Sequence, residues 1–181
     1  MGRVAEVPED VSPLQIGVRG RDEGVEFELV GRIRWRWSDG AWNEWLALFG
    51  DGTTAWLGEA MGRYMLLRPI SVLASNRLAK ALAKDERVGV GLRVAMGGID
   101  YTVTDVKDVT CVGSEGELPF SAPLGLPMLS VDLMASDGGC ATVQKERGDI
   151  AAYAGRYVSL ADVAATGLRR FEDWPMPNYA A

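Results

Sequence analysis

Any chemistry in this chain is done without histidine, because none occurs among its 181 residues. That removes the commonest general base, the usual partner of a nucleophilic Ser or Cys, and most zinc-ligand sets. Neither a Gly-Lys-Ser/Thr phosphate loop nor a strand-Gly-x-Gly-x-x-Gly-helix unit is present. What remains is carboxylate and aromatic chemistry. The most concentrated acids are Glu115 and Glu117, in Gly113-Ser114-Glu115-Gly116-Glu117-Leu118-Pro119-Phe120, which opens a Gly- and Pro-rich stretch running to Met128. Two carboxylates that share a site push their pKa values apart and can pass protons or hold a cation. Alternating glutamates about a glycine equally describe a solvated bend. Asp105, Asp108, Glu115 and Glu117 lack the spacing of a calcium loop. We therefore expect no metal, no cofactor and no catalytic residue.

Tryptophan is the other resource. Trp35, Trp37, Trp42 and Trp45 crowd one segment around the turn Ser38-Asp39-Gly40-Ala41. From Val25 to Trp37 apolar residues hold the odd positions and Glu or Arg most of the even ones, which is the two-residue period of a half-buried strand. Thirteen residues at about 3.3 Å each would span roughly 43 Å, so Gly31 is expected to mark a bend or bulge that lets one strand serve two sheets. Pairing Trp37 with Trp42 across the turn sets Arg34 opposite Trp45, within reach of a cation-π contact. The return strand puts Trp42, Leu46 and Leu48 on one face and Trp45 and Phe49 on the other. It is either covered on both sides or presents an aromatic contact patch. Arg32, Arg34 and Arg36 read as a solvated face balanced by Glu26, Glu28 and Glu44.

An internal repeat organises the rest. Ile16-Gly17-Val18-Arg19 matches Val90-Gly91-Leu92-Arg93, and Gly24-Val25-Glu26-Phe27 matches Gly98-Ile99-Asp100-Tyr101, both 74 positions apart (16 to 90 and 24 to 98). With shifted offsets, Asp51-Gly52 resembles Asp137-Gly138 and Gly62-Arg63-Tyr64 resembles Gly155-Arg156-Tyr157. Short strands are expected at 53–57, 63–67, 92–96, 99–112, 129–135 and 140–145. The fold class is mainly β: two related small antiparallel half-barrels, SH3-like or sandwich-like, packed together. The spacing of Leu78 and Leu82 predicts a linker helix over 75–86, and Ser159-Leu160-Ala161-Asp162 predicts a capped short C-terminal helix ending at Gly167. The expected organisation is a flexible arm over 1–13, a first β half over 14–70, a linker over 71–89, a second half over 90–166 and a tail over 167–181. Phe171 and Trp174 in that tail either pack back on the β unit or are offered to a partner.

Composition sets the outer bounds. A net charge of -6 argues against a phosphate-binding surface, so nucleic acid is not an expected partner. No apolar stretch approaches the roughly 20 residues of a spanning helix. Cys111 and Cys140 are expected to be reduced, partly buried thiols in a cytoplasmic protein.

Several separated segments carry a resemblance: Val30-Gly31-Arg32-Ile33-Arg34-Trp35-Arg36-Trp37, Gly40-Ala41-Trp42-Asn43-Glu44-Trp45, Gly116-Glu117-Leu118-Pro119-Phe120, Val131-Asp132-Leu133 and Gly155-Arg156-Tyr157-Val158-Ser159-Leu160. In that order they resemble the bacterial domain of unknown function family 4178, from about Leu14 to Ala164; residues 71–86 and those after Thr166 fall outside the pattern. The resemblance brings no activity, catalytic residue or cofactor. It implies a context of membrane-stress and membrane-remodelling proteins, small inner-membrane proteins and polyamine-type enzymes. Two functions are expected from different classes. One is a non-enzymatic protein-interaction module of an envelope-stress or membrane-maintenance system, meeting a protein partner through the Trp hairpin, the Glu117 loop or the Phe171 to Trp174 tail. The other is a small enzyme or binder for a cationic metabolite such as a polyamine, with Glu115 and Glu117 supplying charge, Trp35 or Trp45 an aromatic wall, and Phe120 and Arg34 nearby.

Overall fold

The computed structural model describes residues 11–72 and 76–171. Ten strands and one helix follow in chain order: β1 (Arg19–Asp22), β2 (Val25–Trp37), β3 (Gly40–Phe49), β4 (Thr54–Ala60), β5 (Arg63–Ile70), α1 (Arg77–Ala83), β6 (Arg93–Met96), β7 (Ile99–Gly116), β8 (Pro127–Ala135), β9 (Cys140–Glu146) and β10 (Asp149–Val158). Sheet order runs β1-β2-β3-β4-β5-β10-β9-β8-β7-β6, and β2 also pairs with β7. That last pairing closes strands β2 to β5 and β7 to β10 into one eight-stranded antiparallel barrel, with β1 and β6 outside it.

The expectation of two separate half-barrels is thereby corrected. Each half supplies four staves, and the halves join through two seams, β2 on β7 and β5 on β10. Both seams bring backbones together at glycine. A Cβ on Gly31 would lie 1.9 Å from the Glu117 carbonyl oxygen, and one on Gly155 would lie 1.9 Å from that of Leu66, so no larger residue fits without moving the wall. Gly31 also sits at a bulge between β2 and β3, as its position in an overlong strand predicts. The first part of β2 pairs with β1 and the later part with β7.

The two halves repeat one another bond for bond. Gly17 N–H donates to Leu29 O at 2.8 Å, and Gly91 N–H to Val103 O at 2.8 Å; Leu29 N–H returns to Val18 O at 2.8 Å, and Val103 N–H to Leu92 O at 2.9 Å. The register slips between Leu29 and Gly31 in β2 and between Val103 and Asp105 in β7, 74 positions on. After the bulge, Gly31 faces Leu46 and Leu46 faces Trp56; in the second half Asp105 faces Asp132 and Asp132 faces Thr142. One sequence match is corrected: the β4–β5 turn at Met61-Gly62 corresponds to the β9–β10 turn at Arg147-Gly148, with φ 49° and 72° against 49° and 93°. Gly155-Arg156-Tyr157 instead lies inside β10, opposite Leu67, Leu66 and Met65.

Alternation along each strand sorts side chains to two faces of the wall. Ile33, Trp35, Leu46, Trp56, Val109, Cys111 and Met128 form the inner cluster, joined by Ala122 and Leu126 of the β7–β8 connection. On the outer face of the first half, Leu29, Trp45, Leu57 and Leu66 are covered by Leu14, Val18, Leu160 and Val163. In the second half, Val103, Val131 and Val143 are covered by Leu78 and Leu82 of α1, each side chain worth about 1.5–3 kcal/mol when buried. Asn76 caps that helix through Oδ1, which accepts from the N–H groups of Leu78 and Ala79. Helix α1 starts and ends within the expected linker.

The C-terminal helix does not form. Ser159 and Asp162 do make the reciprocal cap, Ser159 N–H to Asp162 Oδ2 at 2.7 Å and Asp162 N–H to Ser159 Oγ at 3.0 Å. The chain then leaves in a turn, because Leu160, Val163 and Ala165 are drawn onto the outer face of the barrel. Both cysteines are free and buried, and burial pushes the Cys140 thiol up to about 11. Among the described residues no helix is long and apolar enough to cross a membrane.

Candidate functional site

The interior of the barrel is not filled. A cavity of about 160 Å³ is lined from all eight staves, by Trp37, Trp42, Glu44, Trp56, Met65, Lys107, Asp132, Gln144 and Tyr153 among others. A cavity near 150 Å³ holds a molecule the size of benzene. It reaches the surface beside Met61, in the β4–β5 turn, which is 89% exposed.

Glu44 is the pivot of this space. It lies on β3 between Trp42 and Leu46, so the pleat carries it inward with them. Its Oε2 accepts from Trp35 Nε1 at 2.9 Å; its Oε1 accepts from Gln144 Nε2 at 2.8 Å and from Trp42 Nε1 at 3.2 Å. Three neutral donors hold the carboxyl, and no Lys or Arg among the described residues forms an ion pair with it. Glu44 is half-buried, and it lines the cavity. Burial raises its pKa from 4.5 to about 7, against the lowering pull of the Trp35, Trp42 and Gln144 hydrogen bonds and with a further rise from the charge of Asp132. Glu44 therefore exchanges its proton near neutrality.

Asp132 of β8 is the second acid of the cavity. Burial raises its pKa, opposed by the hydrogen bond from Thr142 Oγ1 at 2.9 Å and by the charge of Lys107. Lys107 itself is bound to Asp105 and lies 5.4 Å from the centre of the Trp37 ring. The arrangement is a pocket whose acids, Glu44 and Asp132, share it with Lys107 and with the aromatic residues Trp37, Trp42, Trp56 and Tyr153.

The repeat shows how this pocket became lopsided. By register, the inward positions Ile33, Leu46 and Trp56 of the first half correspond to Lys107, Asp132 and Thr142 of the second. One half of the barrel is apolar where the other is polar. On the outer face Arg32 and Asn43 of the first half stand where Val106 and Leu129 stand in the second, while Glu59 is matched by another charged residue, Lys145.

That outer cluster gathers several residues singled out in the sequence. Arg32 donates to Asn43 Oδ1 through Nη2 at 2.8 Å, Asn43 Nδ2 to Glu59 Oε2 at 2.9 Å, and Ser12 Oγ to the same carboxylate at 2.7 Å. Trp45 is buried and donates Nε1 to Glu59 Oε2 at 3.0 Å. The cation over its ring is Arg32, 4.7 Å away, rather than Arg34. The turn is tighter than expected: Trp37 pairs with Gly40, so Trp35 meets Trp42 and Arg34 meets Asn43, to which it donates at 3.1 Å.

Trp35 and Trp45 thus lie on opposite faces of the wall, both buried. Glu115 belongs to the end of β7, not to a loop, and accepts from Arg32 Nη1 at 3.3 Å. Glu117 is exposed, and its N–H donates to Val30 O at 2.7 Å. Phe120 leans on Trp56 at the far end of the barrel, 6.1 Å between ring centres. Half-buried Phe171 stacks with Arg169 at 4.7 Å, and Trp174 lies outside the described residues. Glu44, Asp132, Lys107 and Gln144 were not singled out as a site. For Glu44 the signal is a charged residue inside an otherwise apolar alternate row, Trp42-Glu44-Leu46.

Fold and site together define a closed antiparallel barrel that encloses an acidic, tryptophan-lined cavity. The chain belongs to the family Domain of unknown function (DUF4178), whose profile matches residues 15–160. No curated protein and no solved structure is detectably similar to it.

Proposed function

We propose that the protein binds a small organic cation inside the barrel, with Glu44 and Asp132 as its anionic partners and Trp37, Trp42, Trp56 and Tyr153 as its walls. One observation carries this reading: Glu44 is a half-buried carboxyl in the wall of a cavity of about 160 Å³, supported by three neutral donors and, among the described residues, ion-paired with no cation, since Lys107 of the same cavity is bound to Asp105. A protein rarely keeps a carboxylate in such surroundings without a partner, because burying an unpaired charge costs several kcal/mol. An ammonium group would remove that cost and gain cation-π attraction. The divergence of the halves supports the same view. Where the first copy of the repeated unit carries the inward apolar residues Ile33, Leu46 and Trp56, the second carries Lys107, Asp132 and Thr142.

Of the two functions expected from the sequence, this favours the binder of a cationic metabolite, with the charge moved from Glu115 and Glu117 to Glu44 and Asp132. A role as an interaction module in envelope maintenance would use other surfaces, since Trp35 and Trp45 are buried. Titration calorimetry with propylammonium and with putrescine at pH 8 tests the reading. Saturable binding that is lost in Glu44→Gln and weakens below pH 7 is expected; no heat at millimolar amine between pH 6 and 9 would refute it.

A further inference from the structure

A second concavity lies at the other end of the barrel. It is a groove of about 720 Å³ bounded by the ends of β3 to β5, the start of β10, Ala79 and Ala83 of α1, and Phe120. Among the described residues no charged side chain lines it. Trp56 and Tyr153 line both this groove and the interior cavity. The acidic chamber and the apolar groove are therefore consecutive spaces separated by one aromatic pair. Phe120 packs on the groove side of Trp56.

We infer that the ligand is an amphiphilic cation: its ammonium head lies at Glu44 and Asp132, and its alkyl tail passes between Trp56 and Tyr153 into the groove beneath Phe120. This rests on the cation-binding reading and extends it. The chamber alone is too small for a head and a long chain, whereas the groove offers continuous apolar surface directly behind it. The polarity of the two spaces fixes the orientation, since a tail in the chamber would strand two carboxyls and a head in the groove would meet no counter-charge.

A homologous series from propyl- to octylammonium decides the matter by calorimetry at pH 8, with octanol as the neutral control. Affinity is expected to rise about threefold to fourfold for each methylene that enters the groove. Octanol should bind far more weakly than octylammonium. Ala151→Trp, which fills the groove from an exposed position, should flatten the series. Propylammonium binding with no gain along the series would overturn the tail while leaving the cation site standing. Octanol binding as tightly as octylammonium would also overturn it. Absence of binding by every amine would remove the cation site as well. If the tryptophan variant fails to fold, the wild-type series still separates these results.

Discussion

Replacing Glu44 by Gln should change how stability depends on pH, and the size of the change follows from the cavity. In the folded protein the carboxyl holds its proton to about pH 7, against an ordinary value of 4.5. Below about pH 4 the group is protonated in both folded and unfolded chains and contributes no pH dependence. Between 4.5 and 7 the folded chain retains a proton that the unfolded chain has released, so stability falls as pH rises. Above 7 both are ionised and the loss is complete. At 1.36 kcal/mol for each pH unit between the two values, that loss is at most on the order of 3 kcal/mol, and water reaching the cavity reduces it. Glu44→Gln removes the titration. Its amide also turns an N–H₂ toward donors, a roughly constant cost of about 1–3 kcal/mol for a buried group left unsatisfied. Urea denaturation at intervals from pH 4 to 9 should therefore show the variant gaining on the wild type by about 2–3 kcal/mol across that range, whatever the offset at acid pH. Asp132 titrates in both proteins, but its charge acts on Glu44, so its contribution cancels only in part. A difference that stays constant with pH, or that narrows as pH rises, would refute the assignment of a raised pKa to Glu44.

Other consequences are more local. Trp35→Phe deletes the donor at 2.9 Å from Glu44 Oε2, so carboxyl-carbon NMR should find the Glu44 pKa displaced upward from its wild-type value. Gly155→Ala places a methyl group 1.9 Å from the Leu66 carbonyl at the β5–β10 seam and should cost about 3 kcal/mol by thermal or chemical denaturation; a neutral effect would mean the seam is loose. Asp22 is fully enclosed and accepts from Arg156 Nη2 at 2.6 Å and Arg68 Nη2 at 3.0 Å. Burial works to raise its pKa, but these two hydrogen bonds outweigh it and hold the carboxyl below its ordinary 3.8. Its stabilisation is present above pH 3.8 and lost as pH falls through the lowered value. Asp22→Asn should cost about 2 kcal/mol at pH 7 and flatten the acid limb of the stability profile.

Local pattern was legible in the sequence; closure was not. The alternation of Val25 to Trp37, the bulge at Gly31 and the 74-residue correspondence all express short-range chemistry, and the backbone repeats them. The seams join residues far apart in sequence, Gly31 with Gly116 and Gly155 with Leu67. A small residue says that something comes close, but not what. Strand β10 went unread because Ala151, Ala152, Ala154 and Gly155 carry little of the branched or aromatic signal of a strand. The Ser159 cap forms without a helix behind it, since a reciprocal cap also closes a single turn when the next residues are pulled onto a core. Glu115 and Glu117 drew attention as neighbours in sequence, whereas the acids that share a chamber, Glu44 and Asp132, come from different halves.

The central claim is that the barrel interior receives an organic cation at Glu44. Carboxyl-carbon NMR of the selectively labelled protein, titrated with pH in the presence and absence of saturating butylammonium, tests it most directly. A bound ammonium group favours the ionised carboxyl, so the midpoint for Glu44 should fall from about 7 by a pH unit or more. A Glu44 midpoint that does not move while butylammonium is bound would place the cation elsewhere and contradict the account.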